Sequence, residues 1–251
     1  MRSPLLRLAI ALGLWWLVAG SAAAIGLESD GLGTVGQVGQ WFANPQNWQG
    51  PDGLPQRMLE HIYYVLVSTT VAAVIALPVG IGLGHFGRGG LLAINIANIG
   101  RAVPSFGLII LMFLLVGFGF VPVLVALVAL AIPPMVTNSY VGMQSVDPAV
   151  RQAGRALGLN RWQRLTRVEL PIALPLVMAG LRTAAVQVMS TATLAAYVGL
   201  GGLGRYLIDG LAQQQLPQVV GGAIVVAILA MLTELALAGL QRLLLSPGLA
   251  R

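Results

Sequence analysis

Few side chains in this sequence have the types and spacing that covalent chemistry needs. The 251 residues include no cysteine, which excludes cysteine nucleophiles, iron–sulfur clusters and cysteine zinc sites. The two histidines, His61 and His85, do not stand in the His-Glu-x-x-His pattern of an intramembrane metalloprotease. Ser105 and Ser190 have no histidine near them in sequence that could activate a hydroxyl. The sequence therefore predicts neither a catalytic residue nor a metal site, and so no enzyme.

A run of glycines at positions 199, 201, 202 and 204 looks superficially like a phosphate-binding loop. Such a loop needs a strand before it and a helix after it in a soluble βαβ unit, whereas this run follows a long apolar segment. We therefore interpret it as a flexible external turn, and the chain is not expected to bind nucleotide there.

The composition indicates a membrane protein. Hydrophobic residues make up 57% of the chain and charged residues 9%, which leaves too little polar surface for a soluble globule. The formal net charge is +6, and all basic residues are arginines that stand among apolar runs. Scattered arginines of this kind indicate contact with membrane lipid rather than with nucleic acid.

Charge-free runs long enough to cross a bilayer predict about six spans, because a helix needs about 20 apolar residues to do so. Arg2, Arg7 and the small residues 21–24 also fit a cleaved signal peptide, but an uncleaved first span is the simpler interpretation. A turn over residues 117–122 divides one long run in two. The predicted spans are Leu8–Leu27, Ile62–Gly84, two within Ala102–Val146, Pro171–Val198 and Gln218–Leu245.

The arginines lie mainly on one side of these spans, which predicts that both termini and the loop before the fifth span are cytoplasmic. Residues 1–27 then form the first span, 28–60 an external loop with little core of its own, and 61–251 the main membrane unit. We expect Gly89–Gly100 to form an interfacial helix. The cytoplasmic side holds Arg2, Arg7, Arg88, Arg151, Arg155, Arg161, Arg164, Arg167, Arg242 and Arg251.

The cytoplasmic loop at 147–171 carries the clearest local signals. Asp147 followed by Pro148 predicts a helix start, and Gly158 predicts its end in the left-handed conformation. A second short helix around Trp162 should run along the interface before Pro171 turns the chain into the membrane. On composition alone the loop is simply a basic segment, as expected from the rule that cytoplasmic loops are enriched in arginine and lysine.

The order of residues in this loop favours a more specific interpretation. Gln152-Ala153-Gly154, then Gly158, then Val168-Glu-Leu-Pro171 resembles the Glu-Ala-Ala signature of permease subunits of bacterial ATP-binding-cassette importers. The sequence departs from that signature with Gln152 for Glu and Gly154 for Ala. The resemblance implies that the loop docks on a cytoplasmic ATPase through Gln152, Ala153, Gly154, Gly158, Leu159, Leu170 and Pro171.

Two further strings narrow the resemblance, which covers about residues 60–245. Arg101-Ala-Val-Pro104-Ser105 and the segment Tyr197–Gly204 are similar to positions in osmoprotectant permeases, and the latter also to methionine permeases. The resemblance implies an all-α polytopic fold of the methionine-permease type. It also implies a solute such as glycine betaine, choline or carnitine, with methionine or another amino acid as the alternative.

The same resemblance implies the surroundings of the chain. The chain itself would hold no cofactor, because ATP and Mg would be bound by a dimer of separate ATPase subunits. A second permease subunit, identical or homologous, and an extracytoplasmic solute-binding protein would complete a multi-pass assembly in the bacterial inner membrane. A transporter driven by an ion gradient is a distant alternative, which Glu234 inside the last span keeps open.

Polar residues within the spans are candidates for the solute path. Arg182 could snorkel to the cytoplasmic face or line a pore, and Glu234 could pair with an arginine, accept a proton or line a cavity. Small polar residues serve helix packing at least as often as transport. The candidates for the translocation path are Asn138, Ser139, Ser190, Thr191 and Glu234.

Overall fold

The structure, a computed structural model, describes residues 33–90, 94–95, 99–100 and 103–244. All regular elements in these ranges are helical, which confirms the predicted all-α fold. The predicted first span Leu8–Leu27 and Arg101 lie outside the described residues, as does much of the predicted interfacial helix Gly89–Gly100.

The helices follow one another with short connections. The labelled elements are α1 (Thr34–Ala43), α2 (Leu54–Phe86), α3 (Ser105–Val116), α4 (Phe120–Gln144), α5 (Pro148–Ala156), α6 (Arg161–Arg164), α7 (Leu170–Thr191), α8 (Gly204–Ala212) and α9 (Leu216–Leu244). Short segments of other helix types occur at Pro45–Trp48, Leu165–Glu169 and Ala192–Val198.

Among the residues that the structure describes, four continuous helices are long and apolar enough to cross a membrane: Leu54–Phe86, Phe120–Gln144, Arg161–Val198 and Leu216–Leu244. The predicted third span differs, because α3 has 12 residues and a length of about 18 Å, less than the hydrocarbon thickness of about 30 Å. Gly117 and Gly119, at φ 92° and 124°, separate α3 from α4. The predicted break at 117–122 is confirmed for residues 117–119, whereas residues 120–122 already belong to α4.

The segment before α2 is more ordered than the sequence predicts. Residues 28–60 are expected to be a loop with little core, but α1 forms there, and the Trp41 ring packs edge-on against Tyr206 at 5.4 Å. Val38, Trp41 and Phe42 recur at helical spacing, a signal hidden among glycine and glutamine residues. The loop prediction is therefore wrong for α1, which packs on α8 and α9.

Close packing of α2, α4 and α7 forms the centre of the bundle. Gly80 and Gly84 stand four residues apart on α2, and α4 lies directly against them. A Cβ atom at Gly80 would lie 2.7 Å from the Val136 carbonyl oxygen, so only glycine permits this approach. This is the small-residue packing that brings helices together in membranes. Helix α9 packs on α7 and is mostly exposed.

The chain does not turn at Pro171, contrary to the sequence-based expectation. Arg161–Val198 is one continuous helix in which α6 leads into α7 through a wide π-type turn at Leu165–Glu169. Proline has no N–H, and its ring clashes with the carbonyl four residues earlier in a regular helix. The widened turn accommodates Pro171, and the loop therefore joins the fifth predicted span without a break.

Candidate functional site

Helix α5 has well-defined ends. At its start the Asp147 carboxylate accepts a hydrogen bond from the Ala149 N–H at 2.7 Å, and Pro148 occupies the first turn. At its end Gly158 adopts φ +75°, the Leu159 N–H donates to the Gly154 carbonyl at 3.1 Å, and the Gly158 N–H donates to the Arg155 carbonyl at 3.0 Å. These bonds form a Schellman motif. The predicted helix and both of its ends are confirmed.

Helix α6 begins with a capping box that our sequence analysis missed. The Asn160 side chain accepts from the Gln163 N–H at 2.8 Å, and the Gln163 side chain accepts from the Asn160 N–H at 3.0 Å. The Asn-x-x-Gln spacing is the signal that could have revealed it. Together with Gly158, this cap sets the angle between α5 and α6.

The seven residues predicted to contact an ATPase fall into two groups. Gln152, Ala153 and Gly158 are exposed, and the neighbouring Leu157 side chain is 81% exposed. Gly154 is buried, whereas Leu159, Leu170 and Pro171 are half-buried. The first group can touch a partner directly, and the second supports the loop from within.

The buried Gly154 explains how the sequence tolerates its departure from the Glu-Ala-Ala signature. A Cβ atom at this position would lie 3.6 Å from Arg164 Cγ and 3.7 Å from Leu159 Cδ1, which is ordinary van der Waals contact. Alanine therefore fits in the same place, and the glycine leaves the path of the chain unchanged.

A buried carboxylate fastens this loop to α2. Glu169 is 1% exposed, its Oε1 accepts from Arg164 Nε at 2.8 Å, and its Oε2 lies 2.6 Å from His85 Nδ1 at the end of α2. This contact was not predicted from the sequence. Its signal is that Glu169 is the one acidic residue between positions 148 and 171, a stretch that also holds five arginines.

One hydrogen bond holds the loop to α4, and a second joins α4 to α2. The Arg151 guanidinium on α5 donates to the Met143 carbonyl of α4, and the Gln144 amide at the end of α4 donates to the Gly84 carbonyl of α2 at 2.8 Å. The segment from α5 to α7 is therefore tied to both α2 and α4, and it can transmit a displacement to either helix.

A cavity of about 650 Å³, lined by both apolar and polar side chains, lies between α7 and α9. Arg182 Nε is 2.9 Å from Glu234 Oε1, and the Arg182 guanidinium also donates to Gln241 Oε1 at 3.0 Å. Of the three roles open for Glu234, the structure contains two, because Glu234 pairs with an arginine and also lines the cavity. Thr183, Gln187 and Ser190 also line the cavity.

The structure separates the candidates for the translocation path. It brings Ser190 and Glu234 together in the cavity, whereas the Asn138 amide donates to the Pro134 carbonyl at 2.8 Å and faces Gly180. Ser139 is fully buried against Gly80. The residues lining the cavity do not include the half-buried Thr191. Asn138 and Ser139 thus occupy helix-packing positions.

The glycine run at 199–204 is held in place rather than flexible, so that part of the sequence-based interpretation is wrong. The Gly202 N–H donates to Glu60 Oε2 at 2.7 Å, and Arg57 pairs with Glu60 at 2.9 Å. The Tyr206 hydroxyl donates to the Asp52 carbonyl at 2.6 Å, and burial raises the pKa of Tyr206 to about 12. The run serves to join α2 to α8 at this end of the bundle.

The structure offers no metal centre in the ranges that it describes, where no three His, Asp or Glu residues cluster. Two candidate functional regions remain: the loop from α5 to α7 and the cavity between α7 and α9. Both lie on or beside the continuous helix Arg161–Val198.

Solved structures share this fold. The inward-facing MetNI methionine ABC transporter, in its CY5 native crystal form, matches 81% of this chain and 99% of its own chain at a TM-score of 0.66 and 24% identity. The SeMet soak crystal form of the same transporter gives a TM-score of 0.65 over 75% of this chain and 94% of its own. These matches confirm the predicted methionine-permease-like fold.

Sequence relatives match over similar lengths. The glycine betaine/carnitine/choline transport system permease protein OpuCB of Bacillus subtilis is 34% identical over 76% of this chain and 88% of its own length. The osmoprotectant import permease protein OsmW of Salmonella typhimurium is 32% identical over 76% and 91%. Residues 75–246 match the family described as the binding-protein-dependent transport system inner membrane component. The chain therefore belongs to this family and is the permease subunit of an ATP-binding-cassette importer.

Proposed function

We propose that this permease imports a quaternary ammonium osmoprotectant such as glycine betaine, choline or carnitine, with ATP hydrolysed by a separate subunit. Support for the solute comes from relatives whose names specify these compounds, at 30 to 35% identity. Support for the driving force comes from the loop geometry. The resemblance to methionine transporters concerns the fold alone and does not favour methionine.

One observation supports the proposed mechanism: the second half of the loop and a helix that lines the cavity belong to the same continuous helix. Arg161–Val198 begins beside α5 and continues to Arg182 and Ser190 in the cavity. A partner ATPase that moves α5 therefore moves α6, and a continuous helix passes this displacement to the cavity walls. The Glu169 bridge to His85 makes α2 follow the same motion.

The cavity is the proposed part of the solute path. Charged and polar groups at membrane depth are costly against lipid and therefore face water or another protein. The Arg182–Glu234 pair and Ser190 open onto such a cavity, and α9 beside it is mostly exposed. We expect a second permease subunit, identical or homologous, to cover this face. Alternating access then needs only a tilt of α7 against α9.

The remaining parts of the assembly follow from this scheme. A dimer of cytoplasmic ATPases supplies ATP and Mg and docks on Gln152, Ala153 and Gly158. An extracytoplasmic solute-binding protein delivers the solute at the opposite end, where Glu60 holds the glycine run. The chain then lies in the bacterial cytoplasmic membrane with its arginine-rich loop and both termini inside.

The test is uptake in proteoliposomes that contain the permease with its ATPase and binding protein. Radiolabelled glycine betaine, choline, carnitine and methionine are compared, with and without internal ATP. The proposal predicts ATP-dependent uptake of at least one quaternary ammonium compound and none of methionine. Uptake that continues without ATP and stops with an uncoupler would instead identify a transporter driven by an ion gradient.

A further inference from the structure

A pocket of about 320 Å³ beside the loop at 147–171 is lined almost entirely by basic side chains. We call it the basic pocket, and its lining consists of His85, Phe86, Arg88, Arg155, Arg161 and Arg164. Glu169 pairs with Arg164 and His85, but no ion pair joins Arg88, Arg155 or Arg161 to a carboxylate within the part of the chain that the structure describes. The pocket therefore carries uncompensated positive charge and should attract an anion.

An apolar groove of about 580 Å³ adjoins the basic pocket and shares His85, Phe86 and Arg161 with it. Its other walls include Pro78 and Ile81 from the last turns of α2, Leu165 and Leu170 from the start of the continuous helix, and Trp162. The Trp162 side chain is 71% exposed. Tryptophan at the end of a membrane helix is typical of the lipid headgroup region.

We infer that this composite site binds an anionic phospholipid, with its phosphate in the basic pocket and an acyl chain along the groove. Guanidinium groups bind phosphate oxygens through paired, charge-assisted hydrogen bonds. A free phosphate ion would leave the groove unused, and a neutral lipid would leave the arginines unpaired. Only an anionic amphiphile satisfies both halves of the site.

The site spans three elements that the proposed coupling motion would displace. Arg88 follows α2, Arg155 lies on α5, and Arg161 and Arg164 lie on α6. A bound phosphate therefore connects the end of α2 to both sides of the turn at Gly158. The lipid should stiffen this junction, and its occupancy should depend on the anionic lipid content of the membrane.

The test measures lipid retained by the purified full chain in mild detergent, by native mass spectrometry with phosphatidylglycerol and phosphatidylcholine as probes. The double variant Arg155→Gln/Arg161→Gln should bind phosphatidylglycerol about 25-fold more weakly, at about fivefold per arginine. The matched control Arg167→Gln/Arg242→Gln removes equal charge from exposed arginines outside the site and should bind as the native chain does.

A second variant distinguishes the binding of a lipid from the binding of other anions. Gly82 lines the groove, and a Cβ atom there meets no other atom within 4 Å, so Gly82→Phe can fill the groove. It should lose phosphatidylglycerol, while millimolar inorganic phosphate should not displace that lipid from the native chain. The inference would be overturned if both double variants lost phosphatidylglycerol equally, or if Gly82→Phe bound it as the native chain does. It would also be overturned if inorganic phosphate or the ATPase subunit displaced phosphatidylglycerol from the native chain.

Discussion

Arg182 on α7 and Glu234 on α9 form an ion pair at membrane depth, with 2.9 Å between Arg182 Nε and Glu234 Oε1. The two side chains are 28% and 37% exposed, and both line the same cavity. The pair therefore joins the peripheral helix α9 to the continuous helix Arg161–Val198, and it places charged groups on the wall of the cavity that we propose as the solute path.

Breaking this pair should leave one unpaired charge in the membrane. We expect Glu234→Gln to lower both the melting temperature of the purified protein and the rate of solute uptake. The charge-exchanged double variant Arg182→Glu/Glu234→Arg should recover stability, with a coupling energy of about 1 kcal/mol in a double-mutant cycle. Additive losses in the cycle would contradict a direct interaction.

Filling the cavity should block transport. Ser190 is exposed on the cavity wall, so Ser190→Trp occupies the cavity without disturbing the buried core. Uptake in proteoliposomes should fall at least tenfold, while the amount of inserted protein stays the same. The control is Leu232→Trp on an exposed position of α9 outside the cavity lining, and it should transport normally. Native uptake by Ser190→Trp would show that the solute passes elsewhere.

The structural features that depend on local sequence, such as the long spans and the helix ends, were predictable. Charge-free runs located the four long spans, and Asp147, Pro148 and Gly158 predicted both ends of α5. The contacts that depend on packing between distant segments were not predictable. Glu234 is 52 residues from Arg182, and Glu169 is 84 residues from His85, so no local pattern joins either pair.

The same limit applies to the candidate residues for the translocation path. Asn138 and Ser139 have the polarity of a solute path, yet each faces a glycine on a neighbouring helix. Which face of α4 meets α2 and α7 depends on the fit of the three helices. Likewise, a proline is compatible both with a widened helical turn and with a change in chain direction. Only the structure shows that the widened turn occurs at Pro171.

The contact between α2 and α4 should depend on one glycine and not on its neighbour. Gly80→Ala places a methyl group against the Val136 carbonyl and should destabilise the protein by about 1 to 3 kcal/mol. Gly82→Ala, two residues away, meets open space and should be neutral or slightly stabilising. Thermal unfolding in detergent measures both, and equal effects would contradict this packing.

The turn after α5 should control coupling rather than insertion. Gly158 adopts φ +75° with open space around it, so Gly158→Trp should still fold but would strain the turn and obstruct the docking surface. The variant should reach the membrane in normal amounts yet fail to stimulate its ATPase. Gly158→Asn, which tolerates the left-handed conformation better, should keep most of the stimulation. Normal transport by Gly158→Trp would contradict the docking assignment.

Docking of the exposed face of α5 on an ATPase can be measured with a single cysteine. Since the chain has no cysteine, Ala153→Cys provides one unique thiol on this face. Ala212→Cys is the matched control, exposed in the last turn of α8 at the opposite end of the bundle. The measurement is the yield of a short thiol-specific cross-link to the ATPase in the assembled complex. We expect a strong cross-link from position 153 and none from position 212. An assembled complex that gives no cross-link from position 153 would show that α5 does not dock on the ATPase.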